Sequence, residues 1–455
     1  MTNNEILRVL DGQSFMNSPT FLKTIVEQIQ GIAPAKIIGS VIRTEGMTIA
    51  AQGFAAPIGA IARIGSRDES RPLLAEVIGF RDNLTVLYSY SDLKGIRRGA
   101  KIELVKTLPW LGVGDQLLGR VVNAFGQTID AGPTPVLTTR VRYDSAPPDP
   151  CSRPRIQTPI TTGVRAIDGL LTCGQGQRLG IFAGSGVGKS VTLGMMTRYT
   201  DADVVVVGLI GERGREVNDF VERELGNEGR KKSVVVVSTS NEPPLMRVRA
   251  AYASMAIAEY FRDQGKNVLF LMDSLTRFAM AQREIGLAAG EPPTSRGYTP
   301  SVFSLLPRFV ERAGRTTEGS ITAFFTVLVE GDDQQDPICD AVRGMLDGHI
   351  WLSRKLSVRG FYPAIDILNS VSRLANFICS PEQNKLAGEI RRLLGIYEDS
   401  EDLISVGAYR EGTSKEIDKA IRLKPLIDAF LKQQVNEKAS LQETLEGLRI
   451  IFAHD

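Results

Sequence analysis

The chain is short of histidine and cysteine, and each shortage removes a class of chemistry. Two histidines, His349 and His454, are too few for a histidine-based metal centre. His349, in Asp-Gly-His-Ile, reads as structural. The four cysteines, Cys151, Cys173, Cys339 and Cys379, are scattered without C-x-x-C spacing and point to neither a zinc site nor a disulfide framework. Net charge is lacking too. With 54 basic against 52 acidic residues the balance is +2, so composition gives no pull toward nucleic acid or membrane. No apolar run reaches the roughly 18 residues of a membrane span. The N-terminus MTNNEILRVLDG has no basic start leading into an apolar stretch, so a soluble cytosolic chain is expected. Internal repeats and low-complexity segments are absent. What remains is an ordinary apolar fraction of 43% over 455 residues, enough for about three domains with real cores.

The most informative stretch is Arg178-Leu-Gly-Ile-Phe-Ala-Gly-Ser-Gly-Val-Gly-Lys-Ser190. An apolar run from Leu179 to Phe182 reads as a buried strand. A small-residue turn follows, and Val191 opens a helix. The turn, Ala183, Gly184, Ser185, Gly186, Val187, Gly188, Lys189 and Ser190, matches the phosphate-loop pattern G-x-x-x-x-G-K-[ST], with Ala183 in place of the first glycine. Small residues let successive backbone N–H groups curl into a nest for phosphate oxygens. The helix that follows directs its positive end at the same anion. Lys189 supplies a point charge for the β- and γ-phosphates and Ser190 a hydroxyl for Mg²⁺. This is a nucleotide site.

Around it the hydrophobic period changes along the chain. Residues 1–34 carry helical spacing in Ile6, Leu7, Val9 and Leu10, then Phe21, Leu22, Ile25, Val26 and Ile29. From 35 to 106, short β-rich pieces (Ile37–Ile42, Ile58–Ile64, Ala75–Phe80, Leu84–Tyr88, Lys101–Val105) separated by Gly, Asp and Asn turns predict a small barrel. Residues 107–155 end in a proline cluster, Pro147-Pro-Asp-Pro150 with Pro154, and read as an extended linker over the next domain. From 156 to 376, buried runs (Val204–Ile210, Ser233–Ser238, Val268–Met272, Ile321–Val329) alternate with helices such as Leu245–Arg262, which implies a mostly parallel sheet covered on both faces. Residues 377–455 are helical and charged. Leu386, Ile390, Leu393, Leu394 and Tyr397 form one stripe, and Ile417, Ile421, Leu426, Ile427, Phe430 and Leu431 another. The largely polar Gln434–Leu448 reads as an exposed interaction helix.

Two more strand ends carry acids. Val268-Leu-Phe-Leu-Met-Asp273 puts a carboxylate at a strand tip, where beside a phosphate loop it holds Mg²⁺ through water. Val207-Gly-Leu-Ile-Gly-Glu-Arg-Gly-Arg215 ends in a glycine-flanked Glu212. A carboxylate there orients and polarises a water in line with the γ-phosphate. On spacing alone, a solvated glutamate at a strand end explains Glu212 equally well.

The set AGSGVGKS, GERGREV, STSNEPPLMR, VLFLMDSLTRFA, SLLPRFVERAG, TAFFTVLVEGDD, DGHIWLSRKL and FYPAIDILNSVSR closely resembles the catalytic ATPases of type III protein export, flagellar and injectisome, which are relatives of the rotary ATP synthase subunits. The likeness runs over nearly the whole chain, and the Ala183 form of the loop is part of it. It implies an α/β architecture with a RecA-like P-loop NTPase core and parallel sheet, preceded by a small N-terminal β-barrel and followed by a C-terminal helical domain. It implies a homohexameric ring that hydrolyses ATP with Mg²⁺. Lys189 becomes the phosphate lysine, Ser190 and Asp273 the Mg²⁺ residues, Glu212 the water-activating base, and Arg213 a group near the phosphates. Tyr362 resembles the aromatic that stacks on adenine, and Arg373 the arginine finger inserted into the neighbouring subunit's site. By the same analogy a stator-like regulator docks on the N-terminal helix, and a central stalk protein faces Glu291–Tyr298 and Phe303–Arg308. The tail meets the export gate and chaperone–substrate complexes, and the ring docks at the cytoplasmic face of the inner membrane. A rotary-type subunit in a hetero-hexameric ring shares every catalytic motif and stays open at this point. A ring nucleic-acid translocase is disfavoured by near-neutral charge and the lack of an aromatic and basic single-strand platform.

Overall fold

A computed structural model of the chain describes residues 37–65, 73–329 and 336–453. The helical stripe expected over 1–34 lies outside the described residues. The chain divides into two compact units, one running to Trp110 and including Ala288–Gly290, the other holding Leu111–Leu287 and Glu291 onward.

In the first unit six strands close into an antiparallel barrel: β1 (Ile38–Glu45), β2 (Thr48–Gln52), β3 (Ile61–Ile64), β4 (Leu73–Arg81), β5 (Leu84–Ser89) and β6 (Lys101–Lys106), in the order β1-β2-β5-β4-β3-β6. Alternation sends Val41, Ile49, Ile64, Val77, Leu87 and Ile102 inward as its core. Closure removes the free edges that so short a sheet would otherwise expose. Strand β2 has no counterpart among the β-rich pieces read from the sequence. Its Ile-Ala-Ala centre has weak β-propensity, and tertiary context overrides it: Ile49 and Ala51 are buried inside the barrel.

The second unit is built on a largely parallel sheet. Its strands are β7 (Val121–Val122), β8 (Arg178–Ala183), β9 (Val204–Glu212), β10 (Ser233–Thr239), β11 (Asn267–Asp273), β12 (Ser320–Leu328), β13 (Gly348–Leu352) and β14 (Ile365–Ser372). They lie in the order β14-β13-β8-β12-β11-β9-β10-β7, with the short Gly314–Arg315 strand paired to β12. All neighbours in that row are parallel except β13 and β14. All nine residues of β9 are buried, as a strand covered on both faces requires. β9 follows β8 in the chain, yet β12 and β11 lie between them. At such a switch of strand order the carboxyl tips open a crevice.

The helices used below are α1 (Arg165–Leu170), α2 (Lys189–Tyr199), α3 (Pro244–Asp263), α4 (Leu275–Ala289), α5 (Pro381–Ser405), α6 (Lys415–Leu431) and α7 (Leu441–Ala453). The proline-rich stretch before the core is strapped down by arginines. Arg153 donates to the Ala313 carbonyl at 3.0 Å and the Glu311 carbonyl at 2.6 Å, and Arg312 donates to the Tyr143 carbonyl at 2.7 Å. At the C-terminal end Ile390, Leu393, Ile427 and Leu431 join the core cluster, while Leu426 is 38% exposed. The expectation for Gln434–Leu448 is corrected. The helix begins only at Leu441, and Thr444, Leu448 and Ile451 are buried on it. Gly169 in α1 leaves room for them: a Cβ there would stand 3.2 Å from Thr444 and 3.6 Å from Leu448. Burying that apolar face outweighs the polar remainder of the segment.

Candidate active site

Strand β8 delivers the phosphate loop to the crevice. Ala183 is its last residue, in register with Leu328 of β12 and Leu352 of β13. Its backbone is extended, so a Cβ is tolerated where the signature has glycine. Gly186 and Gly188 take φ of 78° and 88°, the left-handed region open to glycine. Val187 between them is buried and anchors the loop, while Ser185, Gly186 and Ser190 are exposed. Gly188 caps α2, so the loop's N–H groups and the helix terminus converge on one concavity. Val191, in the first turn of α2, packs partly buried against the core.

Two strand tips supply the acids. Asp273, at the end of β11, is 3% exposed and Glu212, at the end of β9, 7%. Lys189 reaches across the intervening strand β12 to form an ion pair with Asp273, and its Nζ stands 3.7 Å from Glu212 Oε1. Thr326 of β12 donates its hydroxyl to the same Asp273 oxygen at 2.8 Å. Burial works against the Lys189 ammonium, but the charges of Asp273 and Glu212 outweigh it and hold its pKa above the ordinary value. Burial and the nearby Asp273 charge push Glu212 up to about 7, against the opposing charges of Lys189 and Arg277. Glu212 also shares a hydrogen bond with Glu216, whose own pKa is lowered by it. Glu212 Oε1 is buried without a hydrogen-bond partner. An acceptor in that position can take the proton of a water aimed at a phosphate.

Residues distant in sequence complete the crevice. Tyr362 lies against the loop: a Cβ on Gly188 would sit 3.4 Å from its ring. Tyr362 is 44% exposed, which leaves room for a planar base against its ring. Arg277, near the start of α4, is not among the site residues that the sequence motifs indicate. Its Nε stands 3.4 Å from Glu212 Oε1 and has no hydrogen-bond partner. Gly211, at φ 75°, gives it room, since a Cβ there would meet Arg277 Cδ at 2.8 Å. The one sequence signal for Arg277 is its place one turn beyond Asp273; its meeting with Glu212 depends on β11 lying beside β9.

Two proposed site residues are not brought to Lys189. Arg213 is exposed and pairs with Glu216 at 3.7 Å. Arg373 follows β14, which runs antiparallel to β13, so its backbone N–H bonds the Asp347 carbonyl at the start of β13. That is the amino end of the parallel strands, opposite the phosphate loop and about 17 Å from it along six residues of strand.

No cluster of three or more His, Cys, Asp or Glu among the described residues forms a cage for a metal. The donor set beside the loop, one exposed hydroxyl and one buried carboxylate, instead fits Mg²⁺ carried largely by water and phosphate oxygens. A parallel sheet with a phosphate loop at one tip and acids at two others defines a P-loop nucleotide hydrolase. Residues 163–372 match the ATP synthase alpha/beta family, nucleotide-binding domain, and residues 379–449 the T3SS EscN ATPase C-terminal domain. The chain is 48% identical to the flagellum-specific ATP synthase of Bacillus subtilis (strain 168), covering 95% of this chain and 99% of that one. It is 45% identical to the type 3 secretion system ATPase of Xanthomonas euvesicatoria, over 95% and 98%. The solved structure of the assembled ATPase EscN from the enteropathogenic E. coli type III secretion system superposes with a TM-score of 0.86 at 45% identity, over 91% of this chain and 99% of that one. EscN in complex with its central stalk EscO gives 0.85 at 44% identity, over the same shares. The chain belongs to the flagellar and type III secretion ATPase family and is an ATP hydrolase of type III protein export.

Proposed function

We propose that six copies form a ring in which each catalytic site is completed by the next subunit. Within one copy Lys189 holds the β- and γ-phosphates, Glu212 takes a proton from the attacking water, and Tyr362 stacks on the adenine. Ser190 and Asp273 are the residues that would hold Mg²⁺, which supplies charge neutralisation on the phosphates when bound. Incoming phosphate oxygens take the place of Asp273 as the partner of Lys189. That exchange frees the carboxylate. Arg277 steadies the ionised form of Glu212, and Arg213, exchanging its surface pair with Glu216, reads the phosphates. Arg373 is supplied to the neighbouring copy's site, where a guanidinium stabilises the spread charge of the transferred phosphoryl group.

The observation that carries this reading is the placement of Arg373 at the end of the strands opposite its own phosphate loop. It is out of reach of its own phosphate loop, so a role in catalysis requires a second copy. The assembled state of EscN supports the ring, and its complex with a central stalk supports a stalk partner; we assign that contact to Glu291–Tyr298 and Phe303–Arg308. The remaining partners extend this reading: a regulator at residues 1–34, and the export gate and chaperone–substrate complexes at the tail. No helix among the described residues is long and apolar enough to cross a membrane; docking at the cytoplasmic face of the inner membrane is part of the same reading.

The test is ATP turnover per subunit over a range of protein concentration, repeated with Lys189→Ala and Arg373→Ala variants mixed together. Specific activity is expected to climb with concentration, and the mixture to regain activity that neither variant has alone. A flat profile without rescue removes Arg373 from the neighbouring site.

A further inference from the structure

The end of β14, which bears Arg373, is tied to the root of β8 by one buried side chain. Gln177, the residue before β8, is fully buried. Its Nε2 donates to the Asp347 carbonyl at 3.1 Å and to the Ser372 hydroxyl at 3.1 Å. Its Oε1 accepts from Gly174 N–H at 2.8 Å. Ser372 in turn donates to the Thr172 carbonyl at 2.8 Å, and the Asp347 carbonyl also takes the Arg373 N–H at 3.0 Å. Both amide hydrogens and the amide oxygen of Gln177 are thus engaged, two of the three bonds holding residues that adjoin Arg373. The neighbouring Asp347 carboxylate is occupied by Arg178, through its backbone N–H at 3.1 Å and its Nε at 3.2 Å. Arg373 is exposed, and the group its charge acts on is His349, whose protonation it opposes rather than pairs with. The backbone of Arg373 is pinned while the residue stays exposed, as a group aimed at another molecule requires.

We propose that Gln177 is a positioning residue for Arg373. It fixes the backbone from which the guanidinium is offered to the next subunit, and through the six residues of β8 it connects that finger to the chain's own phosphate loop. The inference rests on the reading of Arg373 as a finger acting in trans, and it assigns the damage of a Gln177 substitution to the neighbour's site rather than to its own. Misplacement of such a group by about 1 Å lowers turnover by up to about 100-fold.

The experiment uses full-length Gln177→Leu and Ser372→Ala, each assayed for binding of a fluorescent ATP analogue and for turnover at ring-forming concentration. Each is then mixed in equal amounts with Lys189→Ala or Arg373→Ala before assembly. Nucleotide affinity is expected to stay within about twofold and turnover to fall about 10- to 100-fold. The mixture with Lys189→Ala, whose finger is intact, is expected to regain about a quarter of native activity, because about one interface in four then joins a sound site to a sound finger. The mixture with Arg373→Ala regains none. If Lys189→Ala fails to rescue Gln177→Leu but does rescue Arg373→Ala, Gln177 acts on its own site and the inference falls. If Lys189→Ala rescues neither, the trans finger itself is wrong. Should Gln177→Leu lose nucleotide binding through misfolding, Ser372→Ala, which cuts the same tie with a smaller change, decides the matter by the same two mixtures.

Discussion

The carboxyl of Glu212 is pushed up to about 7 by burial and by the charge of Asp273, and turnover should carry that titration. A base must be ionised to accept a proton. A group with a pKa of about 7 is about one-tenth ionised at pH 6 and about nine-tenths at pH 8, so kcat/KM is expected to rise nearly tenfold across that interval. The perturbation that tests the assignment is Glu216→Gln. Glu216 shares a hydrogen bond that favours the protonated form of Glu212. Its removal moves the acidic limb toward lower pH. The assay is phosphate release at ring-forming concentration, from about pH 5.5 to 8.5, reduced to kcat/KM so that the free enzyme is reported. Titration of ATP itself is common to both proteins and cancels in the comparison. Glu212→Gln should lose the limb together with turnover and retain bound ATP. A native profile flat from pH 6 to 8, or a limb unmoved by Glu216→Gln, would refute the assignment of the base. For stability the same shift has the opposite sense. Folding holds a proton on Glu212 that the unfolded chain releases at its ordinary 4.5, so this contribution is complete below that value and lost as pH rises through about 7. Asp168, pushed up to about 7 by complete burial, acts in the same direction.

Three further outcomes are expected. Arg312→Met leaves Glu259 buried without the partner now held at 2.8 and 2.6 Å, and should lower stability by about 3–5 kcal/mol in urea unfolding; the double variant with Glu259→Met should recover much of it. Gly188→Val forces a branched side chain onto φ 88° against the Tyr362 ring, at about 1–3 kcal/mol of strain, and should weaken binding of a fluorescent ATP analogue about tenfold or more. Tyr362→Ser removes the stacking face and should raise KM for ATP about tenfold with kcat little changed, since a base–aromatic stack contributes about 1–3 kcal/mol to binding.

Sequence by itself determined the parts of this protein that are local. The phosphate loop needs a strand, a small-residue turn and a helix within a dozen neighbours, so Lys189 and Ser190 are legible without a fold. Asp273 and Glu212 are legible as acids at the ends of buried runs, because an apolar strand stops where its side chains meet solvent or ligand. Tertiary structure alone decided which of these ends meet. Lys189 bonds Asp273 across 84 positions of chain because β12 brings β11 within reach of β8, an order set by long-range packing that no periodicity records. The same order sets Arg277 and Asp273 beside Glu212, and burial with the Asp273 charge pushes that carboxyl up to about 7 against Arg277, whereas spacing alone leaves it equal to a solvated glutamate. Strand direction decided the rest. β14 runs against β13, so Arg373 emerges at the end of the strands opposite its own phosphate loop, and Gln177, unremarkable in sequence, becomes the buried tie beneath it.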